Sequence, residues 1–269
     1  MSLPTPGPDR TAVVTGASSG IGAEIARELV ARGHQVVLVA RTESKLQSLA
    51  DELTSNGGSA HVVAADLSDR RMRSALPDRV EALGLVPDIL VNNAGFSTLG
   101  PVSKADPEAE VNLVEVDVAS VVDLTTRFLP GMVERGRGAL LNVASTAAFQ
   151  PLPGQAAYGA GKAFVLSYTQ SLAGELRGSG VTATALCPGP VETGFGARAG
   201  FTDEEAKNAL PSIMWVDARE VAKAALAGMD KGRMVVIPGI ANRVGAMVSQ
   251  VAPRSVLLPF LVKGHPGLK

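Results

Sequence analysis

An excess of charge of either sign is what this 269-residue sequence most plainly lacks: 25 Lys and Arg stand against 26 Asp and Glu, a net of −1. That balance excludes a whole-chain electrostatic footprint for nucleic acid, so no nucleic-acid partner is expected. Cysteine is nearly absent. Cys187 on its own cannot form an internal disulfide, which fits a reducing, cytoplasmic setting, and beside a turn it reads as a small core residue. The three histidines, His34, His61 and His265, share no ligand spacing, so no metal site is expected. No basic start followed by an apolar run opens the chain. Residues 1–9 are rich in proline and read as a disordered tail rather than a signal peptide. Long unbroken apolar runs are missing too. The nearest approach, 244–262 within an apolar C-terminal extension over 240–269, is interrupted by Gln250, Pro253, Arg254 and Pro259, which are costly in lipid. A helix packed on the protein, lining an apolar site or a subunit contact, is expected there, with association at a membrane surface as the second reading.

What the chain has is apolar residues, 46% of the total, arranged in an alternating rhythm. Short runs rich in Val, Ile and Leu at 11–15, 35–40, 61–65, 88–92, 139–143, 181–186 and 234–237 show little polar alternation, as strands covered on both faces do. Between them lie helical patterns over 20–32, 43–54, 69–82, 108–134, 155–177 and 217–229. Repeated strand–helix–strand units imply an α/β fold, a doubly wound parallel sheet of about seven strands with helices on both faces. No linker divides it, so 10–269 is expected to be a single domain. The stretch 190–215 breaks the rhythm and reads as a substrate loop or lid.

The first strand runs into Thr15-Gly16-Ala17-Ser18-Ser19-Gly20-Ile21-Gly22, after which a helix begins. Glycines let the backbone approach a pyrophosphate, and the helix start offers free N–H groups and a positive dipole end. The second strand ends in Ala40-Arg41, with no carboxylate to take a ribose hydroxyl; Arg41 suits a 2′-phosphate instead. NADP(H) is therefore preferred over NAD(H). Tyr158 and Lys162 are four apart on a predicted helix and so share a face. A nearby ammonium favours the phenolate and makes the phenol a workable proton carrier, and Ser145, just past the fifth strand, can hydrogen-bond a developing alkoxide.

Taken in order, TGASSGIG at 15–22, NNAG at 92–95, Ser145, Tyr158-x-x-x-Lys162 and Pro188-Gly189 resemble the short-chain dehydrogenases/reductases, from Thr11 to about Ile237. The resemblance implies a Rossmann fold and an NAD(P)-dependent oxidoreductase acting on a carbonyl or secondary alcohol. It implies that Gly16, Ser18, Ser19, Gly20, Ile21 and Gly22 hold the phosphates, with Ser18 beside Arg41, and that Asp66 and Leu67 meet the adenine. Asn92 with Asn93, Ala94 and Gly95 would form the floor beneath the nicotinamide ribose, whose hydroxyls Lys162 holds beside Tyr158. Pro188, Gly189 and Val191 would also bind the cofactor, and Thr193 would bond the carboxamide. One position departs from the pattern. Where the family carries an asparagine that relays protons to the lysine through water, alignment of Val116 to Ser120 sets Asp117, with Asn112 a turn and a half upstream. Its charge is expected to raise the pKa values of Lys162 and Tyr158.

Aromatics amount to only 4% of the chain, so those near strand ends are candidates for a substrate pocket. Phe96, Phe149, Phe195 and Trp215 are expected there, with Leu152, Phe201 and Met214, and suggest a hydrophobic ketone such as a 3-oxoacyl group. Two rivals stand beside this reading: a catalytically idle nucleotide-binding or scaffolding member of the same fold, and a different dinucleotide-fold enzyme such as a methyltransferase. Homo-oligomers are common in the family, with 108–134 and 155–177 as the expected contact helices.

Overall fold

A computed structural model describes residues 3–193, 196, 211–264 and 266–268. Seven strands form one sheet: β1 (Arg10–Thr15), β2 (Gln35–Ala40), β3 (Ala60–Ala64), β4 (Val86–Asn92), β5 (Gly138–Val143), β6 (Val181–Leu186) and β7 (Val235–Val236). All neighbours pair in parallel, in the order β3-β2-β1-β4-β5-β6-β7. The helices among the described residues are α1 (Gly20–Ala31), α2 (Glu43–Ser55), α3 (Arg70–Ser74), α4 (Leu76–Glu81), α5 (Pro107–Val114), α6 (Ser120–Glu134), α7 (Ala156–Glu175), α8 (Ala218–Asp230), α9 (Ile240–Val251) and α10 (Arg254–Gly264).

Strand side chains alternate between two apolar layers, the period-2 rule of a pleated sheet. Ala12, Val14, Val36, Leu38, Ile89, Val91 and Leu141 pack with α1, α2 and α8, through Ile25, Leu29, Leu46 and Leu226. Val13, Val37, Leu90 and Leu140 point the other way, onto Leu76, Leu124, Phe128, Met132 and Leu172 of α4, α6 and α7. Burial on both faces is why these strands read as unbroken apolar runs.

Three local differences have physical causes. The helix expected over 69–82 is two short ones meeting at Ala75, because Pro77 has no N–H with which to continue the first. The helix expected over 108–134 contains a π turn at Glu115–Ala119 between α5 and α6, and that turn carries Asp117 into the interior. From Leu3 onward the stretch read as a disordered tail lies on the protein instead. Leu3 is buried in the first apolar layer, Gln35 donates to the Pro8 carbonyl, and Arg137 donates to the Thr5 carbonyl.

The chain order reverses between β1 and β4, which opens a crevice at their carboxyl ends. Thr15 ties the two ends together: its hydroxyl donates to the Val91 carbonyl and accepts the N–H groups of Asn93 and Ala94.

Candidate functional site

Over that crevice lies a cleft of about 670 Å³. One end is the loop after β1. Gly16 has φ +65, and a Cβ there would fall 2.8 Å from the Ala94 Cα, so both the turn and the close approach require glycine. Ser18, Ser19, Gly20 and Ile21 line the cleft where α1 begins, and its first-turn N–H groups and dipole make that wall receptive to anions. Gly22 is buried behind it, against Asn93 and the Gly16 carbonyl. Arg41 lines the same end, together with Thr42 and Lys45. Both cations are exposed. Asp66 and Leu67 close the far wall, the Asp66 carboxylate accepting from the Ser68 N–H and hydroxyl.

At the centre, Ser145, Tyr158 and Lys162 converge. Ser145 follows β5 and its Oγ accepts the Ala147 N–H, which fixes the hydroxyl at the cleft wall. It also hydrogen-bonds Tyr158. The α7 turn sets the Lys162 Nζ 5.6 Å from the Tyr158 ring centroid. That ammonium is only 4% exposed; it donates to the Val143 carbonyl at 3.1 Å and meets Asp117 Oδ2 at 3.0 Å. Asp117, 1% exposed, accepts the Phe96 N–H on Oδ1 at 3.0 Å. Gly95 makes room for it, since a Cβ there would lie 2.8 Å from Asp117 Oδ2.

These contacts set the electrostatics. Burial pushes the Tyr158 phenol up; Lys162 and the Ser145 hydrogen bond pull it down, Asp117 pushes it up again, and the net is above the ordinary value. Burial works to lower the Lys162 ammonium, but Asp117 and then Tyr158 outweigh it and hold it above the usual lysine range. Burial likewise pushes Asp117 up, against the pull of Lys162 and the Phe96 N–H. The Cys187 thiol, in the core behind Ser145, is pushed up to about 12 by burial, which leaves it an inert core residue. The arrangement can hold a proton on Tyr158 Oη, receive it back, and hydrogen-bond an oxygen placed between Tyr158 and Ser145.

The other end of the cleft is mainly apolar, with Gln150, Asn242 and Ser249 among its lining. Phe96, Leu152, Met214 and Trp215 line it, and α9 and α10 close it with Gly245, Ala246, Ser249, Phe260 and Leu261. Asn93, Ala94, Gly95, Pro188, Gly189, Val191 and Thr193 also line the cleft. Two expectations fail. Phe149 does not line the cleft; it is buried at the 3-10 turn Thr146–Phe149, in an apolar cluster with Val165 and Ala246. Asn92 is turned inward, donating to Asn142 and Thr125, and does not line the cleft, whereas Asn93 does. Phe195, Phe201 and most of the expected lid lie outside the described residues. Reasoning from sequence missed Lys45, although it stands four positions beyond Arg41 at the start of α2, a spacing that was open to inspection. It also missed Gln150, Gln155 and Asn242, which line the cleft and carry no motif that marks them.

The model of the short chain dehydrogenases matches residues 10–203. A short chain dehydrogenase of Pseudocercospora fijiensis is 41% identical over 191 residues, 70% of this chain and 62% of that protein, so the match spans less than two thirds of the relative. Among solved structures, a short-chain dehydrogenase from Sphingobium yanoikuyae in complex with NADPH has a TM-score of 0.79 at 34% identity, covering 93% of this chain and 95% of that one. The bulky-bulky ketone specific alcohol dehydrogenase from Comamonas testosteroni has a TM-score of 0.75 at 30% identity, covering 96% and 95%.

Proposed function

The chain belongs to the short-chain dehydrogenase family of oxidoreductases, and from that premise we propose that it interconverts a bulky hydrophobic ketone and its secondary alcohol with NADP(H), using Tyr158 as the proton carrier. The observation that carries the reading is Ser145, Tyr158 and Lys162 together in one cleft, with the buried Asp117 behind Lys162, between a glycine-and-cation end and an apolar end.

The cofactor fits the residues present. A cradle that a Cβ at Gly16 would fill suits a pyrophosphate, and two exposed cations just past the end of β2 suit a 2′-phosphate. Gly16, Ser18, Ser19, Gly20 and Ile21 would hold the pyrophosphate, Arg41 and Lys45 the 2′-phosphate, and Asp66 with Leu67 the adenine. Asn93, Ala94, Gly95 and Lys162 would hold the nicotinamide ribose, and Pro188, Gly189, Val191 and Thr193 the carboxamide. The NADPH-bound relative supports this choice. When bound, NADP(H) supplies or accepts the hydride at the substrate carbon.

The chain handles the proton. In reduction Tyr158 Oη donates to the carbonyl oxygen as that oxygen gains charge, while the Ser145 hydroxyl hydrogen-bonds the same oxygen. Lys162, fixed by Asp117 and the Val143 carbonyl, stabilises the phenolate left behind. In oxidation the phenolate takes the alcohol proton. Phe96, Leu152, Met214 and Trp215 exclude water and shape the pocket for an apolar carbonyl compound, in keeping with the relative that accepts bulky ketones.

A panel of bulky ketones and secondary alcohols, assayed through NADPH absorbance with NADH in parallel, tests the proposal. Turnover of at least one bulky substrate with NADPH preferred is the expected result. NADPH binding without turnover across the panel would replace it with the idle nucleotide-binding reading, which the Asp117 substitution favours. Absence of NADPH binding would remove the cofactor assignment.

A further inference from the structure

Helix α9 is built inside out. A helix lying on a protein turns its apolar stripe inward, yet the buried positions of α9 are Asn242, Ala246 and Ser249. Ile240, Val244, Met247, Val248 and Val251 are instead 79, 55, 66, 55 and 82% exposed. At ~100° per residue these five fall within an arc of about 100°, a single outward stripe. The orientation is fastened by the polar face. Asn242 donates to the Met214 and Pro238 carbonyls at 2.9 and 3.1 Å, and the Ser249 hydroxyl donates to Gln150 Oε1 at 2.7 Å. Turning the helix over would strand those groups. Val256 and Phe260 of α10, the next helix in the chain, are 68 and 77% exposed as well. A contiguous apolar surface of this kind marks an interaction site.

Charge identifies the occupant. No Asp or Glu follows Asp230, whereas residues 1–230 carry 19 basic against 26 acidic residues. Within 240–264 the charged residues are Arg243, Arg254 and Lys263, all exposed. Each arginine uses one or two of its five donors on carbonyl groups, Arg243 on Ile237 and Arg254 on Ser249 and Phe149, and keeps the rest. A second copy docked by a two-fold axis would set this cationic patch against itself. Among the described residues no helix is long and apolar enough to cross a membrane. We infer that α9 and α10 lie on an anionic lipid surface, with the apolar stripe dipped among the acyl chains and the basic side chains at the headgroups. Phe260, exposed on α10, also lines the cleft, so on this inference the cleft opens beside the lipid.

Lipid binding by α9 and α10 does not depend on catalysis and is tested without any turnover. Full-length protein is sedimented with vesicles of phosphatidylcholine alone and of an equal mixture of phosphatidylcholine and phosphatidylglycerol. Binding to the mixed vesicles, weak on the neutral ones and falling as salt rises, is expected. Met247→Glu with Val251→Glu should weaken it by on the order of tenfold or more without moving the thermal unfolding midpoint, because both side chains already face solvent. Arg243→Ala with Lys263→Ala should weaken it less and flatten the salt dependence. No binding to the mixed vesicles, or binding that the double glutamate variant retains, overturns the inference. So does light scattering that shows a wild-type dimer turned monomeric by the same variant, since the stripe would then be a contact between copies.

Discussion

The two ends of the cleft are made in different ways. The glycine-and-cation end comes from three short stretches after consecutive strands, at 16–22, 41–45 and 66–67, the first shaped by backbone turns at positive φ at Gly16 and Gly20. The apolar end is gathered from Phe96, Leu152, Met214, Trp215 and helices α9 and α10, segments far apart in sequence that carry large apolar side chains. Backbone geometry tolerates few residue types, whereas a side-chain wall accepts any apolar residue of suitable volume. The first end is therefore committed to one kind of ligand, and the second is where substrate range can change.

The largest expected effect falls between the two ends and separates chemistry from both. Tyr158→Phe removes the transferable proton, so kcat should fall by roughly 100-fold or more in each direction, while NADPH titration by fluorescence gives an unchanged Kd. A variant that keeps its rate would detach the mechanism from this phenol and restore the rival dinucleotide-fold enzymes. Next in size, Arg41→Asp removes a charge-assisted contact and adds repulsion. Affinity for NADPH should drop about 10- to 100-fold with NADH little changed and the KM for the ketone unmoved. Equal losses for both nucleotides would mean that Arg41 does not read the 2′-phosphate.

At the apolar end the sharper comparison is between two aromatics. Trp215 lines the cleft, so Trp215→Ala should raise the KM for a bulky ketone about tenfold and leave NADPH binding alone. Phe149 is in the core, so Phe149→Ala should instead cost about 3–5 kcal/mol of stability in denaturant unfolding, with little effect on the KM of the folded fraction.

That pair also measures what could be read from the chain itself. The strand ladder was legible because burial on both faces leaves apolar runs, and the loop at 15–22 because glycine at positive φ leaves a mark at fixed spacing. Tyr158 and Lys162 were legible because one helix turn joins them. Phe149 was misread, since only the packing of Val165 and Ala246 around it, segments distant in sequence, decides which way a ring on a short turn points. The stripe on α9 has a plain helical period. Its outward orientation depends on what Asn242 and Ser249 bond, and period alone does not reveal that.

The smallest effect, and the most diagnostic of the centre, belongs to Asp117→Asn. Asparagine keeps an oxygen for the Phe96 N–H but removes a negative charge from a group facing Lys162. The groups in play are Asp117, Lys162, Tyr158 with its Ser145 hydrogen bond, and the distant pull of Cys187 on Lys162. Asp117 pushes Tyr158 up, so its loss should let the phenol ionise at lower pH. Oxidation needs the phenolate and rises through that ionisation, so its rising limb should move to lower pH. Reduction needs the phenol, so its decline should begin at lower pH as well. An opposing effect exists: Lys162 also loses the partner that holds it above its ordinary value, and a neutral lysine would push Tyr158 back up. It wins only if the buried ammonium gives up its proton within the range assayed, in which case the limb moves to higher pH and the ion pair, not the phenol's own field, governs the profile. Profiles of kcat/KM in both directions distinguish the two, and coincident profiles for variant and wild type would show that Asp117 does not act on the reacting groups at all.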